Sequence, residues 1–141
     1  MDIDKLIKAL DKEENEEILN MTSEKINQMV QQALDELLLT DDTYDTYISK
    51  LQGYRYIDEI DDLKIGSFIR WILLKNPDNL RLTNGSILCD IKITDVGIVL
   101  VCKGAYGKYF QVKFDENMIF QKLSDQERVL LSALDHLSYD N

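Results

Sequence analysis

The residues able to do chemistry in this chain are few, and their spacing rules most of it out. His136 is the only histidine. Asp135 precedes it, but neighbours on a helix point about 100° apart and cannot form a base–orienter pair. A histidine in a last helical turn fits a dipole-satisfying surface residue better than a general base. Any catalytic triad would have to include it, and no nucleophile-elbow motif is present. Two cysteines and one histidine cannot complete a four-ligand zinc site within one chain. The acidic runs Asp41-Asp42-x-x-Asp45 and Asp58-Glu59-x-Asp61-Asp62 lack the ligand order and central glycine of a calcium loop. Gly104-Ala105-Tyr106-Gly107-Lys108 reads as a hairpin turn beside a lysine, not as a phosphate-cradling loop. The sequence thus predicts no enzyme, no cofactor and no metal.

The two cysteines make a structural expectation instead. If Asp95-Val96 is a two-residue turn, Ile93 opposes Ile98, Ile91 opposes Leu100 and Cys89 opposes Cys102 on one apolar face. A three-residue loop with Gly97 as a bulge would oppose Cys89 to Lys103. The first register is preferred, because a slip spoils the burial of a whole face. It predicts two buried, reduced thiols.

What remains is charge. Arg70, Arg81, Lys92, Lys103, Lys108, Lys113 and Lys122 fall on polar positions of a strand-like region, with Trp71, Tyr106 and Tyr109 interleaved. Small barrels use such mixtures to bind nucleic acid, with rings stacking on bases and cations meeting phosphates. The plainer reading is that lysine guards strand edges against pairing with other chains. A third is that these cations complement the chain's own acidic part.

The elements that would position these residues follow from hydrophobic period. Residues 23–39 carry Ile26, Met29, Val30, Ala33, Leu34, Leu37 and Leu38 at helical spacing, with Ser23 as a cap and Glu24 in the first turn. The stripe Ile26, Met29, Val30, Leu34, Leu37 serves as core or as a surface for a partner helix. Asp41 or Asp42 caps a second helix bearing Tyr44, Tyr47, Ile48 and Leu51, and Gly53 follows its end. The preceding residues 1–20 read as a further helix with a solvated acidic face.

From Leu63 the period becomes two. Strands are expected at 68–74, 80–82, 87–94, 98–103, 109–114 and 118–122, with a hairpin at Asn84-Gly85. Ser124-x-x-Glu127 is a capping box, so a last helix runs from Asp125 to about Leu137. It should plug an open barrel end or pack on the N-terminal hairpin.

Charge follows the same division. Residues 1–62 hold 17 acidic and 6 basic side chains, a net of −11; residues 63–122 hold 5 and 9, a net of +4. The whole chain, at −10, disfavours phosphate backbones and anionic lipid, though the strand region escapes that argument. No stretch approaches the ~18 apolar residues of a membrane span, and the polar start carries no leader. Free cysteines then argue for an intracellular, reducing compartment.

Three segments resemble parts of small uncharacterised proteins of large DNA viruses that infect protists. They are Tyr54-Arg55-Tyr56-Ile57-Asp58-Glu59-Ile60-Asp61-Asp62-Leu63, Gly66-Ser67-Phe68-Ile69-Arg70-Trp71-Ile72 and Phe120-Gln121-Lys122-Leu123. The resemblance spans about residues 54–137 and carries no catalytic residue. It implies a viral interaction protein or a virion-associated one, in host cytoplasm or virion.

The expected fold is α+β: an acidic helical segment over 1–53, then a small antiparallel SH3-like or OB-like barrel of about 5–6 strands with a C-terminal helix over 54–141. The expected function is a non-enzymatic interaction or assembly module working through a protein partner or self-association. The alternative is a nucleic-acid-binding barrel with an acidic autoinhibitory or partner-binding arm. The surface for either is Arg70, Trp71, Arg81, Lys92, Lys103, Tyr106, Lys108, Tyr109 and Lys113. No membrane contact is expected.

Overall fold

A computed structural model of the chain describes residues 21–139, with side chains to residue 137. The helix expected within residues 1–20 lies outside this range. Three helices and six strands follow in the order α1 (Ser23–Asp35), α2 (Asp41–Lys50), β1 (Tyr54–Ile57), β2 (Phe68–Leu73), β3 (Ser86–Thr94), β4 (Gly97–Lys103), β5 (Tyr109–Lys113), β6 (Asn117–Lys122) and α3 (Asp125–Tyr139). The fold is α+β, with one antiparallel sheet in the order β1-β6-β2-β3-β4-β5.

α1 forms where the 3.6-residue stripe demanded it. Its cap is Thr22, one residue before the expected Ser23: the Thr22 hydroxyl accepts from Lys25 N at 3.2 Å. The helix stops at Asp35, short of the expected 39. Leu38 then takes a left-handed φ of 53° and is exposed, while Leu37 and Leu39 fold back toward the core. Thr40 caps α2, again one residue early, and Asp41 and Asp42 occupy its first turn, where carboxylates meet the positive end of the dipole.

Both helices lie on one side of the sheet, its outer face. Val30, Ala33, Leu34 and Leu51 share a core with Tyr54, Ile72, Leu82, Met118 and Phe120, so the helical segment and the β1-β6-β2 half of the sheet form one packing unit. Ile26, Val30 and Leu34, offered by the sequence to a partner helix, are buried in the chain's own interior; Met29 and Leu37 are half-buried. At about 25 cal/mol per Å² of apolar surface, this burial is the main force holding helices to sheet.

The inner face gathers Ile57, Ile119, Ile69, Leu88, Leu100 and Val112, one side chain from each of the six strands. In a flat sheet β1 and β5 would stand about 24 Å apart at 4.8 Å per strand. The sheet is curled instead: Trp71 on β2 and Phe110 on β5 are three strands apart, about 14 Å at that spacing, yet their rings meet at a centroid distance of 5.8 Å.

Two sequence expectations fail in the strands. Leu80–Leu82 is not a strand, and Asn84-Gly85 is not a hairpin between two strands. Instead both flanks run along β2: Leu82 bridges Ile72, while Ser86 and Ile87 pair with Ile69 and Phe68. Gly85 sits in the kink between them with φ +94°, where a Cβ would come within 2.5 Å of the Ile69 carbonyl oxygen. Glycine serves close backbone approach here, not a hairpin reversal. β1 was missing from the sequence reading. It exists because β6 offers it a free edge, pairing Tyr54–Ile57 with Lys122–Ile119.

The β3–β4 turn is the two-residue one: Ile93 opposes Ile98 and Ile91 opposes Leu100. The register then shifts between Leu88 and Asp90, so Leu88, not Cys89, opposes Cys102. The bulge at Cys89 seats the larger apolar side chain in the inner core, where Leu88 is fully buried, and leaves Cys89 half-buried. It also turns Ile87 outward, opposite Lys103.

α3 begins at the capping box the sequence announced. Glu127 N donates to Ser124 Oγ at 3.1 Å and Ser124 N donates to Glu127 Oε1 at 2.9 Å. Its Leu130 and Leu131 pack with Ile26 of α1.

Candidate interaction surface

Directly opposed residues of an antiparallel pair share a face, so the register sorts the basic residues without ambiguity. Across β3, β4 and β5 the outer face presents three rows: Ile87, Lys103, Tyr109; Asp90, Val101, Gln111; and Lys92, Val99, Lys113. The structure therefore brings Lys92, Lys103, Lys113 and Tyr109 together, all exposed. Val99 is buried between Lys92 and Lys113 in its row. Lysine stems cover such a residue while their ammonium groups stay in water. The helical core draws its strand residues from β1, β2 and β6, so these rows lie beside the helical layer rather than beneath it.

The β4–β5 turn extends the first row. Tyr106 is fully exposed and holds a left-handed φ of 60°. That conformation costs a non-glycine residue about 1 kcal/mol. Gly107 at φ 73° and a hydrogen bond from Gly104 N to Lys108 O, at 2.6 Å, complete the turn. Lys108 follows, exposed. One end of the outer face thus carries Ile87, Lys103 and Tyr109, with the exposed Tyr106 and Lys108 of the turn next to it.

Three predicted members lie elsewhere. Trp71 is on the inner face, opposite Ile119 and against Phe110. Its neighbours there are core side chains, because odd-numbered positions of β2 turn inward. Arg70 is on the outer face, where the helices cover it. Its Nε donates to Thr83 O at 2.9 Å and its Nη1 to Lys50 O at 3.4 Å, at the last turn of α2. A guanidinium spread over two carbonyls is a clamp between strand, loop and helix end. Arg70 also opposes the rise that burial causes in the Tyr54 phenol's pKa. Arg81 is exposed beside Leu80 and Leu82, whose backbone bonds Tyr47 Oη of α2 at 2.8 and 3.2 Å, so it sits by the acidic helices.

Sequence reasoning missed Phe110, Leu73 and Ile87 as surface residues, at 37%, 45% and 44% exposure. Phe110 and Leu73 flank a groove of about 310 Å³ that runs along β5 and is also lined by Trp71, Val112 and Lys113. Alternation marks each as apolar; only the curl of the sheet and the bulge at Cys89 decide that they reach the surface.

The remaining reactive groups do structural work. Asp135 accepts from Ser23 N at 2.9 Å and so ties α3 to the start of α1. His136 is exposed. Burial pushes the Cys102 thiol from an ordinary 9.0 up to about 11, with the nearby Cys89 thiol adding to the rise, so Cys102 stays protonated and inert at neutral pH. Among the described residues no three His, Cys, Asp or Glu side chains are placed to share a metal ion. Among them, too, no helix is long and apolar enough to cross a membrane. Comparison with family models, with curated proteins and with solved structures finds no match to this chain.

Proposed function

We propose that this chain is a non-enzymatic interaction module that holds an acidic segment of a protein partner on the outer face of β3-β4-β5. One observation carries the reading: the strand register puts Lys92, Lys103, Lys113 and Tyr109 on one exposed face, in the rows on either side of Asp90. Such a face attracts carboxylates by charge and offers aromatic surface for packing. The resemblance to proteins of large DNA viruses adds a virion-associated or host-directed setting to the proposal.

The same reading takes β2 to β6 as an SH3-like small barrel with β1 added at its edge. The order β6-β2-β3-β4-β5 supports it, as do the 3₁₀ turn Phe114–Glu116 leading into β6 and the Trp71–Phe110 contact across the curl.

Fluorescence anisotropy with a labelled Asp/Glu-rich peptide tests the function. The peptide should bind at low salt and weaken as salt screens the lysines. Lys103→Glu combined with Lys113→Glu should lower affinity at least about tenfold, whereas Lys25→Glu on the exposed side of α1 should not. Absence of peptide binding at about 20 mM salt would remove the proposal.

A second reading, single-stranded nucleic acid, draws on the exposed Tyr106 and Tyr109 rings beside Lys103 and Lys108. An oligonucleotide in the same titration separates the two. Tighter binding of the oligonucleotide, lost in Tyr109→Ala, would favour this second reading.

A further inference from the structure

We propose that two copies of this chain associate by antiparallel pairing of their β5 edges about Gln111. β1 and β5 are the two outermost strands of the open sheet. Natural sheets guard such edges with inward-pointing charges, proline, lysine or short length. β1 is guarded: it has four residues, and Arg55, on the inner face, is 4% exposed and lies 3.5 Å from Asp62. β5 is one residue longer, and its guard is confined to its end, at Lys113. Its central residues Phe110, Gln111 and Val112 carry no charge, and it holds no proline.

The sequence of β5 is self-complementary in one register. A twofold axis at Gln111 opposes Tyr109 to Lys113 of the second copy and Lys113 to its Tyr109, two cation–aromatic pairs on the outer face. Phe110 then opposes Val112 on the inner face, twice, and Gln111 meets its own copy. A slip of two residues one way sets Lys108 against Val112, and the other way sets Gln111 against Lys113. A slip of four sets Lys113 against Lys113, a like-charge pair. The favoured register also brings apolar side chains of the second copy to the groove lined by Trp71, Leu73 and Phe110, covering surface that is otherwise wet.

The consequence for binding is geometric. Pairing through β5 would join the two outer faces, so Lys92, Lys103 and Lys113 of both copies form one continuous basic surface. The inference stands on the strand edge and not on the lysine face. Failure of acidic-peptide binding would leave it intact.

Sedimentation velocity of the full chain over about 5 to 500 µM tests it, since a short edge pairing gives a concentration-dependent dimer. Gln111→Lys places like charges across the axis on an exposed side chain and should raise the dimer dissociation constant at least about tenfold. Gln32→Lys, the same charge change on an exposed position of α1, should not. In a Cys89→Ser background, Gln111→Cys should give a covalent dimer under mild oxidation, because opposed residues of an antiparallel pair lie within disulfide reach. A monomer at every concentration would overturn the proposal, as would a dimer that ignores Gln111→Lys. Were Gln111→Lys not to fold, failure of Gln111→Cys to crosslink would overturn it alone.

Discussion

Lys64 and Glu127 meet at 3.5 Å between Nζ and Oε2, with the Glu127 side chain 1% exposed. The same carboxylate accepts from Ser124 N through Oε1, so one residue caps α3 and anchors it to the loop before β2. That loop is held in turn by Gln121, whose Oε1 accepts from Lys64 N at 2.8 Å and whose Nε2 donates to Asp62 O at 3.1 Å. Glu127→Ala should destabilise the protein by about 2–4 kcal/mol, because it removes both the cap and the partner of a half-buried cation. Glu127→Gln keeps an acceptor for Ser124 N and should cost less. Urea unfolding of the three proteins orders them; a Gln variant as stable as the native chain would deny the carboxylate its role with Lys64, and equal midpoints for Ala and Gln would deny it the cap.

Gly85 and Gly66 have nearly the same φ, +94° and +95°, yet different surroundings. Nothing lies within 4 Å of a Cβ placed on Gly66, whereas one on Gly85 meets the Ile69 oxygen at 2.5 Å. Gly66→Ala should cost only the conformational penalty, about 1 kcal/mol. Gly85→Ala adds displacement of backbone from β2 and should cost about 2–4 kcal/mol. Thermal melts of the two variants give the difference directly.

The two thiols should differ in reactivity. Cys89 is half-buried at a bulge, and Cys102 is fully buried with its pKa pushed up to about 11. Iodoacetamide at pH 8 should label Cys89 first and reach Cys102 only on unfolding. Because the folded pKa of Cys102 exceeds the unfolded value of about 9, folding favours its neutral form. That contribution is complete below pH 9 and is lost as pH rises through 11. Cys102→Ala should flatten the alkaline fall in stability between these values; an unchanged profile would contradict the assignment.

Arg70 should behave as a clamp. Arg70→Lys cannot span Thr83 O and Lys50 O with one ammonium group, so it should lose about 1–2 kcal/mol, close to the loss in Arg70→Met. Chemical denaturation of both variants checks this. A lysine variant as stable as the native chain would return Arg70 to the free cations.

The parts legible in the sequence are those decided by local physics. Ser124 and Glu127 cap α3 because both donors and both acceptors lie within one turn. The 3.6-residue stripe from Ile26 to Leu34 had to be buried on some surface. Alternation and turn residues place β2 to β6, and Asp95-Val96 closes its hairpin by its own backbone preferences. The grouping of Lys92, Lys103, Tyr109 and Lys113 on one face was legible in part, since period two assigns faces once the register is known.

Only the tertiary structure decided what each local choice would meet. β1 is a strand because β6 has an edge to offer, and Leu80–Leu82 makes only a single bridge, Leu82 to Ile72, on the edge of β2. Leu88 displaces Cys89 from the position opposite Cys102, since an inner core shared by six strands gains more from leucine than from cysteine. Trp71 and Arg70 leave the basic surface for the same kind of reason: one ring is taken by Phe110 across the curl, and one guanidinium by two carbonyls from distant segments. Sequence period determines which side of an element a residue occupies. Long-range packing determines whether that side is interior, clamp or open surface, because it depends on partners far along the chain.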